Sequence, residues 1–403
     1  MKLHKNLAIG IVSCLKNILQ DKSALRPSLN KLLKQNKRWG SRDRRLIGES
    51  VLEIIRWKRK FSEMGNLDPK SAQYYWNLLG IWILNGKIPL PDWDFFSEIK
   101  YDPITLNLKS KKNKRAILES IPDWLDNLGL RNFGMNIWEK EIKSLNEKAP
   151  LVLRANIFKT TPEKLKSILK NKYEIESTII PEFPTALFLN KHRKLNHLDL
   201  FKQGWFEVQD ANSQKVSLFA DPKPGMLVFD GCAGAGGKTL HMANIMKNKG
   251  CIIALDPDEK KLEQLEIRVK RNGVRMVKIL NINSDDILKK YKKNVDLVLI
   301  DAPCSGLGVL RRNPVLKWHM NLKQIDKLIQ LQQEILQKQS VLVKKGGNLV
   351  YSTCSIFSNE NENQIQKFLK SSFGKSFYLE KMETLLTHSS KGDGFFMARL
   401  AKE

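Results

Sequence analysis

The chain has 403 residues, enough for about two or three domains. With 42% hydrophobic residues it can bury sizeable cores, which excludes a disordered protein. Its formal net charge of +27 favours a polyanionic partner, nucleic acid ahead of an anionic membrane surface. The five cysteines, Cys14, Cys232, Cys251, Cys304 and Cys354, include no CxxC pair. Neither a disulfide framework nor a zinc site is supported, and no metal is expected.

At the N-terminus, Lys2 and Lys5 precede an apolar stretch in which Ile11-Val12-Ser13-Cys14 loosely resembles a lipoprotein cleavage box. The apolar core is short and broken by Gly10, and Leu7, Ile11, Leu15, Ile18 and Leu19 fall on one helical face. No run reaches the ~18 apolar residues of a membrane span. A cytoplasmic protein that does not engage a membrane is the expectation.

Residues 1–140 are helix-patterned and hold seven of the nine tryptophans, which predicts an independent helical domain. The first sixty residues carry 16 Lys and Arg against 4 Asp and Glu. From Lys34 to Arg45 the positive charge gathers beside Trp39. That stretch fits phosphate contact with the indole stacked on a base, and equally a solvated helix face over a buried tryptophan. Lys109 to Arg115 is a second basic run, expected in a loop or linker.

From about Ala149 the pattern changes. Leu151–Arg154 and Tyr173–Ile180 read as strands, and Thr161-Pro162 opens a helix running through Leu169, with Thr161 as N-cap. Residues 149–220 would form a small α+β module of a kind that often serves RNA. Residues 221–403 then alternate strand and helix. Strands are predicted at Met226–Asp230, Cys251–Asp256, Val277–Ile282, Val295–Asp301 and Asn348–Ser352. Helices are predicted at Thr239–Lys247, Glu259–Arg271, Leu322–Val343 and Glu360–Leu369. The alternation implies an α/β, Rossmann-like, doubly wound parallel sheet, with Phe395–Leu400 closing an antiparallel edge.

Two places in that sheet carry chemistry. Leu227–Asp230 leads into Gly231-Cys232-Ala233-Gly234-Ala235-Gly236-Gly237-Lys238-Thr239, where glycines let the backbone approach a ligand. The spacing fits neither a P-loop nor a dinucleotide fingerprint. The next strand ends in Asp256, placed to accept from ribose hydroxyls. An adenosine cofactor without a pyrophosphate suits this layout, and S-adenosylmethionine suits it best. Lys238 points to a phosphate nearby.

The second place is Asp301-Ala302-Pro303-Cys304-Ser305-Gly306 together with Thr353-Cys354-Ser355, each following an apolar strand. Chemistry gathers at the carboxyl ends of such strands. If the two strands are neighbours, roughly 4.8 Å apart, two thiols and a carboxylate converge, and one thiol is a nucleophile. Cys14 and Cys251 read as small buried hydrophobes, and Cys232 as a backbone contact to the cofactor.

These motifs resemble the Sun/Fmu-type, or RsmB-like, RNA cytosine-5 methyltransferases. Gln209-Asp210 with Ser213, Arg312-Asn313-Pro314 with Trp318, and Asp393-Gly394-Phe395-Phe396 strengthen the likeness over residues 149–403. The N-terminal region is similar in character to a NusB-like RNA-binding domain. Gly234-Ala235 departs from the Ala-Pro common in that family. The resemblance implies methylation of cytosine carbon 5 in RNA, small-subunit ribosomal RNA first, by a monomer. Cys354 would attack carbon 6, Asp301 would bond the base at N3, and Cys304 would release the product. The backbone from Cys232 to Lys238 would hold the methionine portion of the cofactor, Asp256 the ribose, and Asp285 or its neighbour Asp286 the adenine. Which thiol attacks stays open, because Pro303-Cys304 also mimics the Pro-Cys of DNA cytosine-5 methyltransferases. Transfer RNA as substrate, or an inactive RNA-binding assembly role, are the alternatives.

Overall fold

Helical periodicity organises the first third of the chain. The computed structural model describes residues 3–97, 99, 114–281 and 289–403, so most of the Lys109–Arg115 run lies outside the described residues. The chain divides into two compact units, Met1–Glu147 with Leu310–Leu322, and Lys148–Val309 with Lys323–Glu403.

In the first unit, helix Lys5–Leu19 buries Leu7, Ile11, Leu15 and Ile18 on one face, as their spacing predicts. Helix Ser41–Arg56 buries Ile47, Val51, Ile54 and Ile55, and the Asp43 carboxylate accepts from the Gly40 N–H at 3.1 Å to cap it. Helix Tyr74–Asn85 completes this core with Leu78, Leu79, Ile81 and Ile83. Trp39 does not offer a stacking face. It is 5% exposed and packs on Gly10, where an added Cβ would sit 2.8 Å from the indole. The neighbouring Arg44 is also spent internally, donating to the carbonyl oxygens of Leu33, Asn36 and Trp39. Desolvating an indole this large stabilises the core more than an exposed stacking platform would.

The segment Leu310–Leu322 is embedded in this same unit. Lys317 is fully buried, and its ammonium donates to the Arg56 carbonyl at 2.8 Å and to Asn146 Oδ1 at 3.0 Å. Burial drives its pKa well below the usual lysine range. Trp318 donates its indole N–H to the Ile55 carbonyl at 2.8 Å.

The second unit is built on two sheets. An antiparallel sheet of β1 (Leu151–Ala155), β2 (Ser177–Ile179), β3 (Ala186–Leu189) and β4 (Phe206–Val208) has the order β2-β3-β1-β4. The larger sheet contains β5 (Leu227–Asp230), β6 (Cys251–Asp256), β7 (Val277–Asn281), β8 (Val295–Asp301), β9 (Val343–Thr353), β10 (Phe377–Leu385) and β11 (Phe395–Lys402). Its order is β10-β11-β9-β8-β5-β6-β7, with β5 to β9 parallel and β10 and β11 antiparallel. This is the Rossmann-like, doubly wound sheet that the alternation of strand and helix predicts.

Three details differ from the sequence reading. The helix opened by Thr161 continues to Tyr173 and ends with Glu174 in the left-handed region (φ 52°), so only Ser177–Ile179 of the expected second strand is extended. The short strands β3 and β4 were not anticipated. Nor was β10, so Phe395–Lys402 pairs on both sides instead of forming the edge.

Buried polar groups join the small sheet to the large one. Arg154 of β1 donates to the Gly237 carbonyl at 2.6 Å and to Gln209 Oε1. Glu207 of β4 accepts from Arg268 at 3.0 Å, from Asn272 at 2.6 Å and from Arg271. Burial works to raise the Glu207 pKa, but these donors outweigh it and hold the carboxyl below its usual range. The second nitrogen of Arg268 donates to the Ala235 carbonyl at 2.5 Å, so the same cluster steadies the glycine loop. Removing one partner of such a cluster leaves uncompensated buried charge. Glu207→Ala is expected to destabilise this unit by about 3–5 kcal/mol, measured by urea unfolding; a loss under about 1 kcal/mol would place the cluster with ordinary surface pairs.

Candidate active site

The pairing of β8 with β9 sets Asp301 opposite Ser352 and delivers the two motifs to one end of the sheet. Beyond the strand ends, Cys304 Sγ lies 3.3 Å from Cys354 Sγ. The Asp301 carboxylate accepts from the Ser352 hydroxyl at 3.0 Å through one oxygen and from the Lys238 ammonium at 2.5 Å through the other. Lys238 is therefore not free for a phosphate: it is 8% exposed, and its charge is neutralised by Asp301. Burial works to lower its pKa, but the charge and hydrogen bond of Asp301 prevail and hold it above the usual lysine value.

The two thiols are not equivalent. The Cys304 pKa is driven well above the ordinary thiol range, first by its hydrogen bond to Cys354 and then by burial. The Cys354 carbonyl accepts from the Gly308 N–H at 2.9 Å, and the Gly308 carbonyl accepts from the Gly394 N–H at 2.8 Å. A Cβ at Gly308 would fall 2.3 Å from the Gly394 oxygen, so the close approach requires glycine. Next to the thiol, Thr353 donates to Asn361 Oδ1 at 2.6 Å, and Asn361 donates to the Ser355 carbonyl at 3.0 Å.

The glycine loop after β5 forms one wall of a cavity of about 830 Å³. Cys232, Gly234, Ala235, Asp256, Asp301 and Pro303 line it, and Leu331 and Ile335 of helix Leu322–Ser340 face them. Ala233, Gly236, Gly237 and Lys238 are not among the lining residues. Gly236 has φ +84° and sits against Leu265, where a Cβ would come within 2.1 Å of a methyl carbon. The Gly234 N–H donates to Asp256 Oδ2 at 2.9 Å, so the acid at the end of β6 is locked to the loop. Asp285 and Asp286 lie outside the described residues. Burial pushes the Cys232 thiol far up, which makes it unreactive. Among the described residues no group of His, Cys, Asp and Glu side chains is arranged to hold a metal ion, and no helix is long and apolar enough to cross a membrane.

Gln209-Asp210 and Asp393-Gly394, far apart in the chain, meet as supports. The Asp210 carboxylate accepts from the Asn212 N–H at 2.9 Å and from the Asp393 N–H at 3.1 Å. Asn212 donates to the Asp393 carbonyl at 2.6 Å. The sequence reading missed Glu360, which is fully buried against Ser305. In the sequence it opens Glu360-Asn361-Glu362-Asn363, which looks like the solvated start of a helix and carries no signal of burial.

Asp230, at the end of β5, is 1% exposed and accepts from the Thr239 hydroxyl at 2.6 Å. Burial raises its pKa from 3.8 to about 7; the Thr239 hydrogen bond opposes the rise and the charge of Asp301 adds to it. The raised value means its contribution to stability is fully present below the ordinary carboxylate range and is lost as pH rises through about 7. The Tm of Asp230→Asn relative to the parent is therefore expected to be more favourable at pH 8 than at pH 5. Parallel Tm–pH curves from circular dichroism would show that Asp230 does not titrate in this way.

Comparison with known proteins agrees with this geometry. Residues 217–401 match the model of the 16S rRNA methyltransferase RsmB/F family. The Synechocystis protein named probable ribosomal RNA small subunit methyltransferase B is 36% identical over 299 residues, covering 70% of this chain and 67% of that one. The Vibrio vulnificus ribosomal RNA small subunit methyltransferase B is 34% identical over 286 residues, covering 70% of this chain and 66% of its own length. The chain thus spans about two thirds of the length of these relatives. The solved structure of PH0851 superposes with a TM-score of 0.81 at 27% identity, over the whole of both chains. The chain belongs to the RsmB/F family of methyltransferases.

Proposed function

We propose that this protein methylates carbon 5 of cytosine in RNA, small-subunit ribosomal RNA first, using S-adenosylmethionine and a covalent adduct to Cys354. The observation that carries the proposal is the pair of thiols 3.3 Å apart at the end of the strand pair that also presents Asp301. The cavity fits the cofactor: it is about 830 Å³, one wall is glycine backbone, and Asp256 stands at the strand end where ribose hydroxyls would need an acceptor.

Carbon 5 of cytosine is a poor nucleophile. The Cys354 thiolate adds to carbon 6, the new S–C bond forms, and the electrons of the 5,6 double bond make carbon 5 nucleophilic. The ring nitrogen N3 gains electron density in this step, and Asp301 with Lys238 is the acid–base pair beside it. When bound, S-adenosylmethionine supplies an electrophilic methyl group to carbon 5. With Cys354 bonded to carbon 6, Cys304 is released from its hydrogen bond to that sulfur; as a thiolate, its own proton given up to water, it takes the proton from carbon 5, the double bond re-forms, and Cys354 leaves as the S–C bond breaks. The base must be presented unstacked. The basic helical region, residues 1–140, and the module of residues 149–220 would supply RNA contacts.

Cys354→Ser is expected to abolish methylation with cofactor affinity near that of the parent, read by radiolabelled methyl transfer and calorimetry. Cys304→Ala is expected to accumulate a protein–RNA adduct that survives denaturing electrophoresis. An adduct trapped by Cys354→Ala instead would exchange the two roles. RNA affinity should fall steeply between 50 and 200 mM salt, by about 10³-fold if some six phosphates are contacted. A flat salt dependence would exclude the basic surfaces as the docking site. Mapping 5-methylcytosine in cellular RNA with and without the gene identifies the substrate.

A further inference from the structure

A chain of buried polar side chains grips the backbone on both sides of Cys304. Glu360 accepts from the Ser305 N–H at 2.8 Å through Oε1 and from the Ser305 hydroxyl at 2.5 Å through Oε2. On the other flank, Gln332 of helix Leu322–Ser340 donates to the Pro303 carbonyl at 3.0 Å and to Glu360 Oε1 at 3.1 Å. Gln332 is held in turn, its Oε1 accepting from Gln364 at 2.7 Å. The backbone of Glu360 is fixed as well, since its carbonyl accepts the Tyr351 hydroxyl at 2.7 Å. Glu360 and Gln332 are both fully buried.

A carboxylate buried this deeply is expensive, and an apolar pair of similar volume would stabilise the fold at least as well. Here its acceptor capacity is directed at the residue after Cys304, and its amide partner grips the residue before. Cys354 is held by a different set, through Thr353, Asn361 and Gly308. The two sets meet at one long contact, the Ser305 hydroxyl to Ser355 Oγ at 3.5 Å, while the contacts of Glu360 and Gln332 fall on the two residues that flank Cys304.

We propose that Glu360, braced by Gln332, is a positioning residue that sets Cys304 for proton removal and product release and not for the attack by Cys354. This rests on the covalent reading given above. With Cys304 mispositioned, attack and methyl transfer proceed, the carbon-5 proton stays on, and the S–C bond to Cys354 cannot break. Loss of the clamp should therefore trap the adduct.

The test is Glu360→Gln, which keeps the volume but removes the charge and leaves one neutral amide oxygen where two carboxylate oxygens accepted from Ser305, measured beside Cys304→Ala. Cofactor affinity should be unchanged, and release should slow by about ten- to a hundredfold, the scale of one lost charge-assisted hydrogen bond. A denaturant-resistant adduct should then build up as in Cys304→Ala. Ser305→Ala, which removes only the hydroxyl, should accumulate less adduct and serves if Glu360→Gln does not fold. A merely structural role lowers turnover and Tm without changing the partition between adduct and free product. Adduct in Cys304→Ala but in neither clamp variant would overturn the clamp and leave the covalent reading standing. Absence of adduct in Cys304→Ala as well would overturn both. Parent-like turnover in Glu360→Gln would also overturn the clamp.

Discussion

The Lys238–Asp301 ion pair joins the helix behind the glycine loop to the end of β8, across 2.5 Å in a largely dry setting. Little else could sit there. A lone ammonium at that depth would lose its proton, and a lone carboxylate would take one up. Paired with Asp301, Lys238 keeps its charge, and Ser352 holds the remaining carboxylate oxygen from the neighbouring strand. One interaction thereby fixes the distance between the glycine loop and the end of β8. Asp230 shows the counterpart. Burial raises its carboxyl to about 7, against the opposing effects of the Thr239 hydroxyl, the Lys238 charge and the Cys232 backbone.

The parts legible in the sequence are those where a local pattern and a global requirement coincide. Val295–Asp301 and Cys251–Asp256 are continuous apolar runs because both faces of a parallel strand are covered, and the structure reproduces both ranges. Two short motifs after two such runs were enough to bring Cys304 and Cys354 together, since strand order places them at adjacent ends. What stayed hidden depends on distant partners. β10 alternates exposed Tyr378 and Met382 with charged residues, and only its pairing with β11 makes it a strand. Glu360 reads as solvated until Ser305 and Gln332 close over it. For Trp39 the sequence left base stacking and burial equally open, because its burial depends on Gly10, a residue with no side chain to announce the contact.

The glycines of the site separate by the same reasoning. Gly236 needs a left-handed backbone against Leu265, and Gly308 needs a vanishing side chain against Gly394. Gly234 has a left-handed backbone but nothing within 4 Å of where a Cβ would be, so conformation alone governs that position. At 234–235 the loop is braced by hydrogen bonds from outside it: the Gly234 N–H to Asp256 and Arg268 to the Ala235 carbonyl.

Leu310–Leu322 leaves the second unit directly after the loop that follows β8 and returns at the helix bearing Gln332, Leu331 and Ile335. Its lysine and tryptophan are buried among helices of the first unit, satisfied by carbonyls of Ile55 and Arg56. The two units are therefore not beads that recombination could exchange at a single joint near residue 147. A descendant that shed the helices would also have to rewrite an insert deep inside its other half, replacing an ammonium that had lost its acceptors. Modularity in this chain is limited by a loop, and gain or loss of the helical unit would require changes at two places at once.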